Sequence, residues 1–133
     1  MSQEEVRVQN EAVRRWLWAF ENDADAFEEL LHPEIEWFPI EENHTLFSGI
    51  EAAMRNRRHW LETWGHHRVV LEEVVEDGDD VVALVHITAQ GKASGAEVDV
   101  RFHAQFRVRD GKVVYIFDHA ERATALRAAG LAE

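Results

Sequence analysis

Residues 100–111 read VRFHAQFRVRDG, and this stretch decides the fold class. Apolar and polar residues alternate along it, which predicts a β-strand with one buried and one exposed face. Phe102 and Phe106 share the apolar face, so His103 is expected on the opposite face of the sheet. The final Arg-Asp-Gly is a turn signal before another strand at about 112–119. The two strands together predict an antiparallel hairpin.

Helices precede strands along the rest of the chain. Apolar residues at helical spacing predict helices at about 4–21, 24–31 and 48–64, and a short last helix at 121–129. Strands are predicted at about 34–40, 67–76, 81–91, 97–108 and 112–119. Turn signals at Asp77-Gly78-Asp79 and Ser94-Gly95 separate the later strands, and Pro39 suggests that the first strand is an edge. Helices followed by an antiparallel meander indicate the α+β class.

Composition narrows the classes of function. The 133 residues are expected to form one domain, include no cysteine, and carry a formal charge of −12. An acidic protein repels phosphate backbones and anionic lipid, so no nucleic-acid or membrane partner is expected. The first residues lack the basic and apolar segments of a signal peptide, which predicts a cytoplasmic protein.

The register of the hairpin formed by the strands at 81–91 and 97–108 can be predicted from the pairing of its apolar residues. If Ser94-Gly95 forms a two-residue turn, Val85 faces Ala104 and every pair on that face is apolar. On the other face the same register sets His86 opposite His103.

Segments spread over nearly the whole chain resemble one known family. They are HPEIEW (32–37), FSGIEAAMRNRRHWLETW (47–64), ASGAEVDVRF (93–102), VRDGKVV (108–114) and ERATALRAAGL (121–131). The chain is similar to the nuclear-transport-factor-2-like superfamily, in particular to its SnoaL-like (polyketide-cyclase-type) branch. The resemblance implies a cone-shaped, curved antiparallel sheet packed on three N-terminal helices, with a short C-terminal helix. It also implies an apolar cavity between the concave face and the first and third helices.

The resemblance separates this chain from the ketosteroid-isomerase relatives. In those relatives, the position matching Ala104 carries an acid of the oxyanion hole, that matching Trp16 a tyrosine, and that matching Phe38 the base. None of these groups is present here, so ketosteroid isomerisation is not expected. The ligand-binding side chains are instead predicted to be Trp16, Phe20, Phe38, His44, Trp60, Phe102, Ala104 and Ile116.

Two details of these predicted walls stay open. Alternation in the strand at 34–40 groups Glu36 with Phe38 on one face and Trp37 with Ile35 on the other, and either face could line the cavity. His44 belongs to a loop at the cavity mouth, where it would be an acid, a base, a lid residue or simply a solvated side chain.

Asp118 and Arg57 are the candidate catalytic residues. A three-residue turn ending in a left-handed Gly111 would set Phe102 opposite Asp118 and turn this carboxyl inward, which agrees with an acidic residue at this place in the resembling family. A two-residue turn would send Tyr115, Phe117 and His119 inside instead. Arg57 falls on the apolar stripe of the third predicted helix, where it would pair with Asp118 or Glu36, or extend to the rim without a ligand role.

Two functions remain open for this cavity. The first is a cofactor-independent acid–base enzyme of isomerase, cyclase or hydrolase type, acting on a small apolar cyclic molecule with Asp118 as the proton-transfer group. The alternative is a ligand-binding or accessory protein without turnover.

No metal is expected, because the histidines show none of the common ligand spacings. A homodimer is expected through the convex face of the sheet, around His86, His103, Tyr115 and Phe117.

Overall fold

The computed structural model describes residues 3–76 and 80–131, without the side chains of residues 5 and 6. In this part of the chain, the helices are Gln3–Asn22 (α1), Ala24–Glu29 (α2), Ile50–Thr63 (α3) and Arg122–Ala128 (α4). The strands are Leu31–Phe38 (β1), Phe47–Ser48 (β2), Trp64–Glu76 (β3), Asp80–Gly91 (β4), Glu97–Arg109 (β5) and Lys112–His119 (β6). A 3₁₀ turn, Ile40–Glu42, follows β1. The predicted α+β order is confirmed, whereas the predicted Asp77-Gly78-Asp79 turn lies outside the described residues.

The strands form one sheet in the order β2-β1-β6-β5-β4-β3. Neighbouring strands are antiparallel except β1 and β6, which run parallel. Two expectations are therefore wrong: the sheet is mixed rather than wholly antiparallel, and β1 lies inside it rather than at its edge. Pro39 comes directly after β1 and does not interrupt its pairing. The short β2 was not indicated by the sequence.

The β4–β5 hairpin keeps the predicted faces but not the predicted pairs. Val85 faces Phe102, and Ala83 faces Ala104, which is a shift of two residues from the expected register. The shift arises because residues 92–96 connect the strands instead of a two-residue turn. Since side chains alternate with a period of two, such a shift exchanges partners and leaves both faces unchanged.

The β5–β6 hairpin turns at Asp110 and Gly111. Both residues adopt left-handed backbone conformations, with φ of 56° and 74°. Two consecutive residues with positive φ are the mark of a two-residue type I′ turn. The preferred three-residue turn is therefore wrong.

A β-bulge in β6 restores the inward orientation of Asp118 that the three-residue turn was expected to produce. Val108 pairs with Val113, but Arg107 pairs with Tyr115, so Val114 is an extra residue on β6. The extra residue reverses the alternation beyond it. Asp118 consequently faces inward, opposite Ala104 rather than opposite Phe102.

The inner face of the sheet packs against α1 and α3 to form the main core. The buried side chains of α1 include Val13, Trp16, Leu17 and Phe20, at the spacing expected for one helix face. α4 packs on the other side of the sheet, where Ala125 and Leu126 cover Val82. No helix among the described residues is long and apolar enough to cross a membrane.

The outer face of the sheet is more covered than the sequence suggested. His103 lies there as predicted, but it is paired with Leu84 and His119. His86 faces Arg101, so the predicted opposition of His86 and His103 is wrong. Apolar exposure on this face is also limited, because α4 covers Val82, and Val113 belongs to the inner core.

Candidate active site

A cavity lies between the inner face of the sheet and α1. About 30 Å³ of it is open to the centre of a water-sized sphere, which is room for a water molecule and little more. A cyclic organic ligand therefore requires the rim or the walls to move. The lining consists of Trp16, Leu17, Phe20, Trp37, Pro39, Glu41, Val69, Val85, Ile87, Phe102, Ala104, Phe106, Ile116 and Asp118.

The predicted wall residues divide into those that line this cavity and those that do not. Trp16, Phe20, Phe102, Ala104 and Ile116 lie in the lining. Their contact with a ligand stays a prediction. The other three predicted ligand-binding residues, Phe38, His44 and Trp60, lie elsewhere.

Trp37 occupies the cavity wall in place of Phe38. β1 buries Ile35 and Trp37, and alternation turns Phe38 to the outer face. There the Phe38 ring lies 5.5 Å from that of Phe117 and 5.9 Å from that of Tyr115, measured between centroids. The predicted cavity position of Phe38 is therefore wrong. The alternative, in which the face with Ile35 and Trp37 lies inward, is correct.

Trp60 and His44 lie beside the cavity rather than in its lining. The buried Trp60 ring packs edge-on against Phe20, with centroids 5.0 Å apart, and so stands behind the wall. His44 lies over the outer face, where its ring stacks on that of Phe117. Neither residue is positioned for direct ligand contact in this closed arrangement.

Asp118 is the deeply buried acid of the cavity. Its side chain accepts a hydrogen bond from the backbone N–H of Ile40, at 3.1 Å. Burial raises the pKa of Asp118 well above its ordinary value, and the nearby Glu41 carboxyl adds to the rise, while the Ile40 hydrogen bond opposes it. The lining residues include no Lys, Arg or His that would offset a negative charge.

Glu41 supplies a second carboxyl at the cavity mouth. The residue as a whole is solvent-exposed, but its carboxyl group points into the lining and accepts a hydrogen bond from Trp60. Burial raises the pKa of Glu41 to about 7, and the negative charge of Glu42 acts in the same direction. The Trp60 hydrogen bond opposes this rise. Glu41 thus changes charge near neutral pH, a property that its place in an acidic loop did not reveal.

Trp16 contributes a polar atom without a protein partner. Its ring is packed among Phe20, Phe27, Trp37 and Phe106, with centroid separations of 5.0–5.8 Å. The buried indole Nε1–H finds no acceptor among the described residues. A buried donor without an acceptor costs free energy, which a water or ligand oxygen in the cavity would recover.

Arg57 does not pair with Asp118, contrary to the prediction. Its Nε–H donates to the backbone carbonyl of Phe20 at 2.9 Å, and Nη2 donates to that of Ala19 at 3.4 Å. The guanidinium also lies 5.6 Å from the centroid of the Phe27 ring. Because α1 has no basic residue in its last turn, Arg57 supplies from α3 the cation that a helix C-terminus favours.

Asp118→Asn is expected to stabilise the protein at pH 8 by about 1–3 kcal/mol, because it removes an unpaired buried carboxyl. The asparagine Oδ1 can still accept the Ile40 hydrogen bond. A raised folded-state pKa means that stability is lost as pH rises above the unfolded value of 3.8. The gain should therefore disappear below about pH 4. Urea denaturation of both proteins between pH 4 and 8 checks this, and equal stability at pH 8 would contradict it.

Comparison with known proteins identifies the family. A family model described as a SnoaL-like domain matches residues 11–116. The chain belongs to the SnoaL-like family. None of the curated proteins matches this SnoaL-like chain.

Solved structures share the fold of this SnoaL-like domain. Bal32a, from a soil-derived mobile gene cassette, is 26% identical with a TM-score of 0.77, covering 94% of this chain and 98% of its own. An LEH-like epoxide hydrolase from M. tuberculosis is 18% identical with a TM-score of 0.75, covering 94% and 93%. TerC, co-crystallised with polyporic acid, is 21% identical with a TM-score of 0.72, covering 92% and 97%. These similarities establish the fold and leave the reaction open.

Proposed function

We propose that this protein is a cofactor-independent acid–base enzyme acting on a small, uncharged, largely apolar cyclic molecule. The observation that supports this most is the presence of two carboxyls, Asp118 and Glu41, in one apolar cavity. Burial raises the pKa of both groups. A perturbed pair of this kind lowers stability and is typical of sites that transfer protons.

The two carboxyls suit different steps of an isomerase, cyclase or hydrolase reaction. Asp118, held protonated by burial, would donate its proton or a hydrogen bond to a substrate oxygen. The Trp16 indole N–H would be a second donor to that oxygen. Glu41, with a pKa of about 7, would accept a proton from the substrate or from water near neutral pH. Arg57 has no part in this scheme, since its donors bind the end of α1.

The substrate would be uncharged because the lining offers acids and apolar walls and no cationic side chain. An anionic ligand would meet two carboxyls and no compensating charge. The fold shared with an epoxide hydrolase and with a protein co-crystallised with polyporic acid supports a small organic ligand in such a cavity.

Turnover of a panel of cyclic epoxides and cyclic enones, followed by mass spectrometry, tests the proposal. Asp118→Asn and Glu41→Gln are each expected to lower the turnover rate by about 10²–10⁴-fold. Glu51→Gln, which changes an exposed carboxyl of α3 outside the lining, is the control and should change the rate little. Panel compounds that bind but are converted neither by the wild type nor by the variants would contradict an acid–base enzyme.

That last result would favour the second candidate, a ligand-binding or accessory protein without turnover. The close packing of the aromatic walls supports this second candidate. Trp16 lies edge-on to both Trp37 and Phe106, so these rings serve the core as well as the cavity.

We also propose a homodimer through the outer face of the sheet. Phe38, Tyr115 and Phe117 form a row of partly exposed rings there, next to the half-exposed Arg107. A row of this composition is typical of an interface. Sedimentation velocity at micromolar concentration is expected to show a dimer, and Tyr115→Asp should shift it to a monomer. Trp18→Ser, at the exposed Trp18 of α1, is the control and should leave the dimer intact.

A further inference from the structure

Residues 39–45, here called the rim loop, lie between β1 and β2 across the cavity mouth. They are connected to one another by backbone hydrogen bonds. The backbone N–H groups of Glu42 and His44 donate to the carbonyl of Pro39, at 3.2 and 3.0 Å. Those of Asn43 and Thr45 donate to Ile40 and Glu42, at 3.1 and 3.0 Å. A segment that satisfies its own backbone in this way can move as one unit. Its position over the cavity therefore depends on its contacts with the sheet.

His44 and Ile40 connect the rim loop to the end of β6. The Ile40 N–H donates to the Asp118 carboxyl at 3.1 Å, and His44 Nε2 lies 2.6 Å from the Asp118 backbone oxygen. Because a carbonyl only accepts, His44 Nε2 must carry the hydrogen of this bond. The His44 ring also stacks on Phe117, with centroids 4.5 Å apart and planes 9° from parallel.

The backbone of the rim loop is strained at the same place. Asn43 and His44 are consecutive non-glycine residues with φ of 54° and 60°. L-residues adopt this left-handed region at a cost in free energy, which surrounding contacts must offset. At His44 those contacts are the hydrogen bond to Asp118 and the stacking on Phe117. Without them, the loop keeps only the Ile40 hydrogen bond among the three contacts with β6 described above.

The rim loop carries Glu41, so its attachment decides where that carboxyl lies. Pro39 and Glu41 both line the cavity, five and three positions before His44 respectively, in the same hydrogen-bonded unit. We infer that His44 is a positioning residue, which fixes the rim loop to β6 and thereby holds the Glu41 carboxyl in the cavity mouth. This inference rests on the proposed function only for the catalytic use of Glu41, because the position of the carboxyl is a structural property.

The pKa of Glu41 reports that position directly. In the closed loop burial raises this pKa to about 7. The titratable groups that face Glu41 are Glu42 from its own loop and Asp118 from β6, and Trp60 of α3 donates to it. Release of the loop would return water to the carboxyl, and its pKa would fall towards the ordinary value of 4.5.

The experiment is a carbon-13 NMR titration of the Glu41 side-chain carboxyl, assigned by its loss in Glu41→Gln. His44→Ala and His44→Phe, which both remove the donor, are expected to lower the Glu41 midpoint by at least about one unit. His44→Gln places an N–H donor at a similar distance and should restore most of the wild-type value. His59→Ala, at an exposed histidine of α3, is the matched control and should leave the midpoint unchanged.

A Glu41 midpoint that stays near the wild-type value in His44→Phe would overturn the inference, and this variant retains a stacking ring if His44→Ala fails to fold. Failure of His44→Gln to restore the midpoint would also overturn it, because the hydrogen bond would then not be the cause. The readout needs no substrate. A shifted Glu41 midpoint together with no turnover in the wild type would therefore uphold the positioning role and reject the proposed enzyme.

Discussion

Asp80→Ala is expected to lower the free energy of unfolding by about 3 kcal/mol. Asp80 is 3% exposed at the start of β4, and its carboxylate accepts from Arg107 Nε at 2.8 Å and Nη2 at 3.1 Å. It also accepts from Gln105 Nε2 at 2.8 Å, and Gln105 is itself buried. Removing the carboxylate takes away one hydrogen bond from that amide and two from the guanidinium, and such losses cost about 3–5 kcal/mol in buried pairs. Because the Arg107 side chain is half exposed, we expect a loss of stability at the lower end of this range.

Asp99→Ala is the matched control for this prediction. The Asp99 carboxylate also has a side-chain partner, His86 Nε2, at 2.7 Å, but the Asp99 side chain is 72% exposed. Solvent-exposed pairs contribute at most about 1 kcal/mol, so this variant should be nearly as stable as the wild type. Urea denaturation at pH 7 measures both variants. Equal losses for Asp80→Ala and Asp99→Ala would show that burial does not determine how much such a pair contributes to the free energy of unfolding.

Arg57→Ala is also expected to cost about 3 kcal/mol, for a different reason from the one the sequence suggested. The change removes the donors to the Phe20 and Ala19 carbonyls and the packing over Phe27. A buried carbonyl left without its donor costs about 1–3 kcal/mol, and the lost packing adds to this. Because Asp118 is not its partner, Arg57→Ala should leave the pH dependence of stability unchanged.

Two further substitutions on α3 distinguish this role. Arg57→Lys keeps the charge but lacks the forked donors, so it should recover only part of the loss. Arg55→Ala, at an exposed arginine one half-turn away, should change the free energy of unfolding by less than about 0.5 kcal/mol. A loss for Arg55→Ala as large as that for Arg57→Ala would indicate a general effect of charge on α3.

The fold could be predicted from the sequence because its signals are local. The alternation in β5 and the helical spacing in α1 each follow from one segment, and both elements appear within a residue or two of their predicted ends. The strand partners could not be predicted as well. The β4–β5 register depended on a connection at 92–96 whose length no residue pattern specified, and parallel pairing of β1 with β6 joins segments far apart in sequence.

The candidate site was predictable where the alternation of a strand or the apolar spacing of a helix decided it. Phe102 and Ala104 had to share a face, and both line the cavity. The partner of Arg57, the backbone carbonyl of Phe20, was missed because the pattern of side chains does not show which backbone carbonyls lack a donor. The perturbed Glu41 was missed because its burial depends on a loop bonded to β6, and the sequence shows only an acidic run.

The bulge at Val114 bears on how the chemistry of such a cavity can change in evolution. It is one extra residue in β6, and the pairs on its two sides, Val108 with Val113 and Arg107 with Tyr115, are those of an uninterrupted antiparallel ladder. Deleting the codon for Val114 would therefore close the bulge, keep Asp118 opposite Ala104, and leave the same side chains facing the cavity. One residue can thus be gained or lost at this point of β6 during evolution without exchanging the reactive groups of the cavity.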